Sequence, residues 1–440
     1  MKKTMKAGLF TLLGTALIGL SACGANNDGN DSAAAASNGK TTIDFWSFWG
    51  SGARKDVIEE IIDDFNASQD DVQVNYKFQP WGDIWTKSLS AITAGNPPDV
   101  IVQDINSVAQ RAEANQATNL SEFVKDDTSK EFYPQLWDTV NYKGDPYAIP
   151  FNTDTQVIFY NKKMFEEAGI SEDNLPSTWD ELEEAAHKLD VKENGDFSRI
   201  GFYPLWNMGA DVWALNADNG ESWFNKDEEV KIDTPNKVSA IEWIQKWQDH
   251  YGRDTINRLE ADFGSGVSDP FISGLVAMRA QNINYYSNLM ENAPDDFEFG
   301  VMQLPEKEEG SGHWSWGGGF VLEVPRGAKN PEASYKFINY LTSAEVQEKF
   351  GEKSFDIMAN KEANENLVNN DNLSEKGQMI YKMADENFAN TVITPTPLNA
   401  PDFTTLVNEQ LDQILLGRKS AKAGLSDAQK AVEDLVKQNQ

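Results

Sequence analysis

The sequence predicts an α/β fold made of helix-covered, mainly parallel sheets. Short apolar strands alternate with amphipathic helices over most of the chain. A β-α-β-α-β order of this kind favours parallel strands with helices packed on the faces of the sheet. The chain has 440 residues, which is more than one hydrophobic core usually serves, so we expect two domains or more.

The first three strands and the two helices between them show the clearest periodicity. A strand is predicted over Thr42–Trp46, and Val72–Phe78 alternates apolar and polar residues as a half-buried strand does. A helix is predicted over Ala53–Asn66, because its large apolar residues recur on one helical face. Another helix is predicted over Ile84–Thr93, which the stop signal Gly95–Pro98 ends. Asp99–Gln103 is a short apolar run typical of a buried strand. Ligands of parallel sheets bind at the carboxyl ends of the strands, so we expect a site after the first and third strands.

The later elements are predicted from caps, stops and apolar spacing. Thr155–Tyr160 is predicted to be a strand that runs into a helix over Lys162–Ala168. Thr178 and Glu181 have the spacing of a capping box, which marks the start of another helix. A triple glycine precedes a strand over Phe320–Val324. Further helices are predicted over Lys237–His250, Glu332–Leu341, Ala344–Phe350 and Phe403–Leu416.

The single cysteine, Cys23, follows a basic start and an apolar run over Ala7–Leu20. This pattern is typical of a secretory signal, and the residues from Leu20 to Cys23 resemble a bacterial lipobox. An ordinary signal peptide and a transmembrane anchor are the alternatives, but the run is shorter than the about 20 residues that span a bilayer. We therefore predict a signal peptide over residues 1–22, lipidation of Cys23, and a flexible spacer over residues 23–42. The folded body would then be held at the extracellular face of the cell membrane.

Composition excludes several classes of function. The chain carries 38 Lys and Arg against 70 Asp and Glu, a formal net charge of -32. Nucleic acid is therefore excluded as a partner, because its binding needs a basic surface. Three widely spaced histidines and one cysteine offer no metal-ligand spacing, and no nucleotide-binding or nucleophile motif is present. We expect no cofactor, no metal and no catalytic residue, although the many acids leave a carboxylate pair for glycoside hydrolysis open.

Tryptophan is the residue type that points to a ligand. Many of the 13 tryptophans stand beside Asn, Gln or Asp rather than inside apolar runs. A sugar packs its C–H face on an aromatic ring while its hydroxyls need polar partners at the edge. Trp179, Trp243 and Trp247 lie at helical spacing and are interpreted as core. Five others, at predicted loop edges, are equally consistent with a core or a site: Trp46, Trp49, Trp81, Trp206 and Trp316.

Several segments together resemble extracellular solute-binding proteins of sugar ABC transporters. They are Gly95–Val100, Ala148–Asn152, Val157–Phe165, Pro176–Leu182, Gly318–Phe320, Asn330–Ile338 and Leu425–Asp434. The resemblance implies a two-lobed, periplasmic-binding-protein-like fold, each lobe a helix-covered, mainly parallel sheet, with hinge crossings between the lobes. Carried onto this sequence, it predicts an N-lobe of residues 43–152 and 317–370 and a C-lobe of residues 153–316 and 371–440.

The same resemblance implies a binding protein and not an enzyme. We expect a monomer that captures a neutral oligosaccharide between its lobes and delivers it to the permease subunits of an ABC transporter. A neutral sugar is favoured because no arginine cluster lies near the candidate segments. The alternatives are a secreted glycoside hydrolase, or a binding protein for a phosphorylated polyol or a peptide. The predicted ligand-binding residues are Trp46, Trp49, Trp81, Gln103, Asp104, Asn152, Asp154, Trp206, Asn207, Asp211, Asn282 and Trp316.

Overall fold

The computed structural model describes residues 39–439, whose strands form two main sheets with helices packed around them. The signal peptide predicted over residues 1–22, Cys23 and most of the predicted spacer lie outside the described residues. The strands are β1 (Thr41–Ser47), β2 (Val72–Phe78), β3 (Val100–Asp104), β4 (Asn141–Tyr142), β5 (Asp145–Pro146), β6 (Ala148–Thr153), β7 (Gln156–Asn161), β8 (Val191–Glu193), β9 (Asp196–Arg199), β10 (Met278–Asn282), β11 (Phe299–Gln303), β12 (Ser315–Gly317), β13 (Gly319–Glu323), β14 (Ile357–Met358) and β15 (Thr391–Ile393).

Helices supply most of the remaining regular structure. The α-helices are α1 (Gly52–Ser68), α2 (Ile84–Thr93), α3 (Val108–Glu113), α4 (Pro134–Thr139), α5 (Lys162–Glu167), α6 (Trp179–Leu189), α7 (Ala210–Ala217), α8 (Pro235–Tyr251), α9 (Arg253–Ala261), α10 (Tyr285–Asn292), α11 (Pro331–Leu341), α12 (Ala344–Ser354), α13 (Lys361–Val368), α14 (Glu375–Phe388), α15 (Phe403–Leu415) and α16 (Ala421–Gln438). Short 3-10 helices cover Ile105–Ser107, Thr128–Glu131, Glu172–Asn174 and Gly266–Ser268. Among residues 39–439, no helix combines the length and apolar character that crossing a membrane requires.

The first sheet has six strands in the order β14-β6-β13-β3-β1-β2. β1 pairs in parallel with both β2 and β3, which confirms the predicted β-α-β-α-β unit. The other three ladders are antiparallel. β1 begins at Thr41, opposite Val72, so the last two residues of the predicted spacer belong to the strand instead.

The second sheet has three strands in the order β10-β7-β11, and both of its ladders are antiparallel. The prediction of a mainly parallel sheet in each lobe is therefore wrong for this sheet, and in the first sheet it holds only for β1, β2 and β3, since the other three of its five ladders are antiparallel. β10 and β11 run in the same direction, because α10 links them as in a parallel unit. β7 arrives directly from β6 in the first sheet and lies between them with the opposite direction.

The chain passes from the first main sheet to the second between β6 and β7, and it returns after β11 through β12, which pairs with β15 in a separate two-stranded sheet, into β13. The triple glycine of the sequence forms the second crossing, where backbones approach closely. A β carbon at Gly317 would lie 2.5 Å from the carbonyl oxygen of Asp154, and one at Gly319 would lie 2.2 Å from that of Asn152. Gly319 also has a φ of 145°, which side chains disfavour.

A buried polar network joins both crossings to α14 and β15. The Thr155 hydroxyl is 2.6 Å from the Thr391 hydroxyl, and it also donates to Ser315 Oγ at 3.1 Å. Asn387 Nδ2 donates to the Gln156 carbonyl at 3.0 Å. These polar groups satisfy one another inside the protein, so their burial at the crossings does not leave them unpaired.

The buried hydrophobic residues form two clusters. One lies around the first sheet and extends to Phe159 on β7 and to Tyr381 on α14. The other contains Trp179, Trp243 and Trp247, as their helical spacing predicts. α14, which the sequence assigns to the C-lobe, contributes its buried hydrophobic residues to the first cluster. The lobe boundaries stay a prediction.

Local signals in the sequence agree closely with the elements. The capping box is present at the start of α6, where Thr178 Oγ1 accepts from the Glu181 backbone and Glu181 Oε2 accepts from the Thr178 backbone. α1 buries the apolar face that predicted it, whereas the buried residues of α2 are Ile84 and Ser88. Local spacing determines these elements because their stabilising contacts lie within a few residues.

Candidate ligand-binding site

A cavity of about 540 Å³ lies between the end of β3, the start of α7, β12 and the segment that leads into α15. Its volume is in the range of small-molecule sites. Three of the predicted ligand-binding residues line it, namely Asp104, Asp211 and Trp316. The structure therefore brings together residues from the first sheet and from the helices of the second cluster.

Asp104 is placed at the cavity by the carboxyl end of β3. Its Oδ1 accepts a hydrogen bond of 2.8 Å from the Asn106 backbone and so caps a 3-10 helix. Partial burial raises the pKa of Asp104, although the hydrogen bonds from Asn106 oppose this rise. The carboxylate keeps acceptor capacity for a ligand hydroxyl, because one backbone N–H does not saturate it.

Asp211 is placed by the first turn of α7. A β carbon at Gly209 would lie 2.1 Å from Asp211 Oδ1, so the missing side chain lets the carboxylate fold over the helix start. Surrounding protein raises the pKa of Asp211, and the backbone N–H groups of Asp211 and Val212 oppose the rise. The side chain remains accessible from the cavity, so water screens its charge.

Trp316 is half-buried, on β12, and its indole orientation is set by one hydrogen bond. Its Nε1 donates to Thr394 Oγ1 at 2.9 Å, and β12 itself pairs in parallel with β15 just before Thr394. Trp316 Cη2 would lie 3.5 Å from a β carbon at Gly318, so the ring lies beside the second crossing. The indole N–H is therefore already hydrogen-bonded within the protein, and the ring face is the part that Trp316 can offer to a ligand.

Asp154 and Asn282 meet near the same crossing. Asp154 Oδ1 accepts from the Gly318 backbone at 2.9 Å, and its Oδ2 accepts from Asn282 Nδ2 at 3.1 Å. Asn282 Oδ1 in turn accepts from Gln156 Nε2. Burial raises the pKa of Asp154 to about 6; the Gly318 N–H opposes the rise, the nearby Asp356 carboxylate adds to it, and Arg54 opposes it.

An exposed aromatic cluster lies at the edge of the first sheet. Trp81 is 51% exposed, and its ring centroid lies 4.7 Å from Phe48, 4.8 Å from Trp85 and 5.5 Å from Phe320. Phe320 stands opposite Asp104 in the β13–β3 ladder, so this cluster borders the cavity-lining strand end. Trp46, on β1, is half-buried and its Nε1 has no partner among the described residues.

The remaining predicted residues are not among those that line the cavity. Trp49 is only 2% exposed and packs against Phe151 and Phe350, and Trp206 packs against Tyr203 and Phe263 in the other cluster. Their neighbouring turns made them resemble site residues, but long-range packing makes them core. The polar predictions with structural partners are Asn152, which accepts from the Phe320 backbone, Gln103, which accepts from the Asp104 backbone, and Asn207, which accepts from Arg279.

Several cavity residues were not predicted from sequence. Asn106, Trp223, Thr394 and Asn408 line the cavity, and Asn106 Oδ1 has no partner among residues 39–439. The alternating Thr and Pro residues from Thr394 to Pro397 were a usable signal, because such a run marks an extended loop. Trp223 carried no local signal that separates it from the core.

The charged side chains of the cavity that have no ion-pair partner among the described residues are carboxylates. Lys237 is the cation among its lining residues, but its side chain is 0% exposed and its Nζ lies 2.8 Å from Asp218 Oδ2. In the described part of the chain, no group of three or more His, Cys, Asp or Glu residues could hold a metal ion. The cavity therefore offers aromatic rings, amides, hydroxyls and carboxylates to a ligand.

Comparison with known proteins gives a family match and consistent structural neighbours. The family model described as bacterial extracellular solute-binding protein matches residues 49–348. A curated relative is the sn-glycerol-3-phosphate-binding periplasmic protein of Agrobacterium fabrum, 24% identical over 426 residues, covering 90% of this chain and 93% of the relative.

Two solved structures share the fold. CpMnBP1 with mannotriose bound has a TM-score of 0.77 at 24% identity and covers 89% of this chain and 100% of that chain. The GacH receptor of Streptomyces glaucescens, solved unliganded and with acarbose, has a TM-score of 0.74 at 24% identity and covers 90% of this chain and 99% of that chain. The likeness confirms the predicted α/β, periplasmic-binding-protein-like fold.

Proposed function

Because this chain belongs to the bacterial extracellular solute-binding protein family, we propose that it captures a neutral oligosaccharide in the cavity beside Trp316. The family consists of transport receptors without enzymatic activity, so this chain is the solute-binding protein of an ABC transporter and not a glycosidase. The observation that carries the ligand class is a cavity with an oriented tryptophan and unpaired carboxylates but no unpaired cation among its described lining residues.

The charge of the cavity favours a sugar over a phosphorylated polyol. A relative is named for binding sn-glycerol-3-phosphate, and a phosphate dianion needs Arg, Lys or several backbone N–H donors. The Lys237 ammonium is already bound by Asp218, and releasing it would leave a buried carboxylate unpaired. Sugar hydroxyls instead donate to carboxylates and amides, which this cavity offers.

We assign the main contacts to Asp104, Asp211 and Trp316. Asp154, Asn282, Trp46 and the exposed Trp81 remain proposed contacts for a ligand that extends beyond the cavity. Ligand bridging residues of the predicted lobes would favour a closed form, because it contacts both sides only there. That closed form would dock on the permease subunits, with the binding protein acting as a monomer.

A thermal-shift screen of mono-, di- and trisaccharides against glycerol phosphate and short peptides tests the ligand class. A ligand that binds only the native state stabilises it by about 2.7 kcal/mol at a hundredfold excess over Kd. This stabilisation raises the melting temperature. We expect a neutral oligosaccharide to give a larger shift than glycerol phosphate or any of the peptides. A shift from glycerol phosphate or peptide alone would replace the proposed ligand.

We also propose that Cys23 carries a lipid that holds the protein at the extracellular face of the cell membrane. The support is the basic start, the apolar run and the residues Leu20 to Cys23. Cys23→Ala should move the protein from the membrane fraction to the medium or leave it unprocessed. A variant that is processed at the same point and stays in the membrane would contradict the anchor.

A further inference from the structure

Two carboxylates in the cavity have no cationic partner in the described chain. Asp104 and Asp211 both line it, and the hydrogen-bond donors that lower their pKa values are uncharged: the backbone and side chain of Asn106 for Asp104, and backbone N–H groups for Asp211. Asn106 Oδ1 adds a buried acceptor without a partner among these residues. The polar lining near Trp316 is therefore rich in acceptors and carries negative charge.

The cavity's own cation does not balance this charge. Lys237 is held by Asp218, and Thr234 Oγ1 donates to the same Asp218 oxygen at 2.8 Å. The ammonium lies 6.0 Å from the centre of the ring of Trp223, which also lines the cavity. A buried, hydrogen-bonded ion pair such as this one is costly to open.

From this arrangement we propose that Asp104 and Asp211 make the cavity charge-selective: among sugars of one linkage, a protonated amino sugar binds most tightly, its neutral counterpart less tightly, and its uronate least. This inference rests on the proposed sugar-binding function and names the substrate class that the same cavity prefers.

The physical reason is the environment of the two carboxylates. Protein around Asp104 raises its pKa, so this ionised group lacks part of the stabilisation that water would give, whereas Asp211 is more exposed and keeps more of its hydration. An ammonium on the ligand supplies a charge-assisted hydrogen bond to such a group, which is stronger than the bond from a neutral hydroxyl. A ligand carboxylate placed there would meet like charge and find no free cation among the described lining residues.

Calorimetric titration with three β-1,4-linked trisaccharides tests the ranking at near-neutral pH: cellotriose, the glucosamine trisaccharide and the corresponding trisaccharide of glucuronic acid. We expect the glucosamine trisaccharide to bind about tenfold or more tightly than cellotriose, and the uronate to bind most weakly. Failure of the glucosamine trisaccharide to bind, or equal affinity for it and cellotriose, would overturn the inference. Cellotriose binding without this ranking would leave the proposed function intact, whereas no binding by any sugar in the wider screen would defeat both.

Matched variants assign the effect to the two residues. Asp104→Asn and Asp211→Asn keep an acceptor oxygen but remove the charge, so the preference for the amine should fall towards unity while cellotriose affinity changes less. Asp63→Asn makes the same change on the exposed surface of α1 and should keep the preference. An unchanged preference in both cavity variants would contradict the assignment.

A measurement without ligand provides an independent readout. Asp104→Asn should raise the urea midpoint of unfolding at neutral pH, because it removes a partly desolvated charge that has no ion-pair partner in residues 39–439. Asp63→Asn should leave the midpoint nearly unchanged. A lower midpoint for Asp104→Asn would mean that the carboxylate stabilises the fold, and would overturn its role as a charge held ready for ligand.

Discussion

Trp206 and Trp316 show at the scale of single residues how one residue type takes two roles. Trp206 is 8% exposed and packs edge-on against Tyr203 and Phe263. Trp316 lines the cavity and has its indole nitrogen bound by Thr394. The first should matter for folding and the second for binding.

Truncation of Trp316 to Ala should weaken sugar binding by about 2 kcal/mol or more, which is over tenfold, because it removes an apolar contact in a desolvated pocket. Calorimetry with the sugar that gives the largest thermal shift measures this loss. Trp206→Ala is the matched control, since it should cost about 3–5 kcal/mol of unfolding free energy and leave affinity nearly unchanged. Normal affinity in folded Trp316→Ala would remove this ring from the proposed site.

Asp154 should make stability depend on pH in the direction opposite to a salt-bridged Asp. Burial raises its folded-state pKa to about 6, above the value of about 4 in an unfolded chain. The folded state then binds the proton more tightly, so this contribution is fully present below about pH 4 and is lost as pH rises through about 6. Its size is at most about 3 kcal/mol, since the shift is about two pKa units and each unit corresponds to about 1.4 kcal/mol.

Urea unfolding of the wild type and of Asp154→Asn between about pH 4 and pH 7 measures this contribution. The difference between the two proteins should change across that window and level off above it. The charged and titratable groups near Asp154 are Asp356, Arg54 and Asp104, and they are common to both proteins. Asp63→Asn serves as the control; a difference for Asp154→Asn that is equally flat would contradict the raised pKa.

At the scale of elements, the second crossing depends on glycine for backbone contact. Gly317→Ala would place a methyl group 2.5 Å from the Asp154 carbonyl oxygen and from Thr391 Cγ2, so the crossing must shift. We expect a loss of about 1–3 kcal/mol in unfolding free energy and weaker sugar binding, because β12 carries Trp316.

Gly82→Ala is the matched control for this substitution. Gly82 has no heavy atom within 4 Å of a β carbon and no positive φ, so the change should be neutral or slightly stabilising. Denaturant midpoints of both variants provide the comparison. Equal midpoints would show that the crossing tolerates a side chain.

The whole molecule should become more compact when it binds sugar, if the crossings act as hinges between the predicted lobes. X-ray scattering should give a smaller radius of gyration with saturating sugar than without it. Trp316→Ala at the same sugar concentration should show less of this change, because less of it is bound. A radius that stays constant at proven saturation would contradict hinge closure.

At the same scale, the chain's sequence determined the fold class, the first β-α-β-α-β unit and the capping box of α6. These depend on apolar periodicity and on contacts within a few residues. Asp104 and Trp316 could be proposed for the same reason, since each lies beside a strand end or a glycine turn that local signals mark.

Tertiary structure alone decided which candidates are exposed and which are paired. Thr394 reaches the Trp316 indole across 78 residues of chain, and Trp49 is core because Phe151 and Phe350 pack on it. The antiparallel second sheet likewise depends on β7 lying between two later strands. Periodicity specifies which face of an element is apolar, but strand pairing, burial and charge neutralisation depend on the distant segment that covers that face.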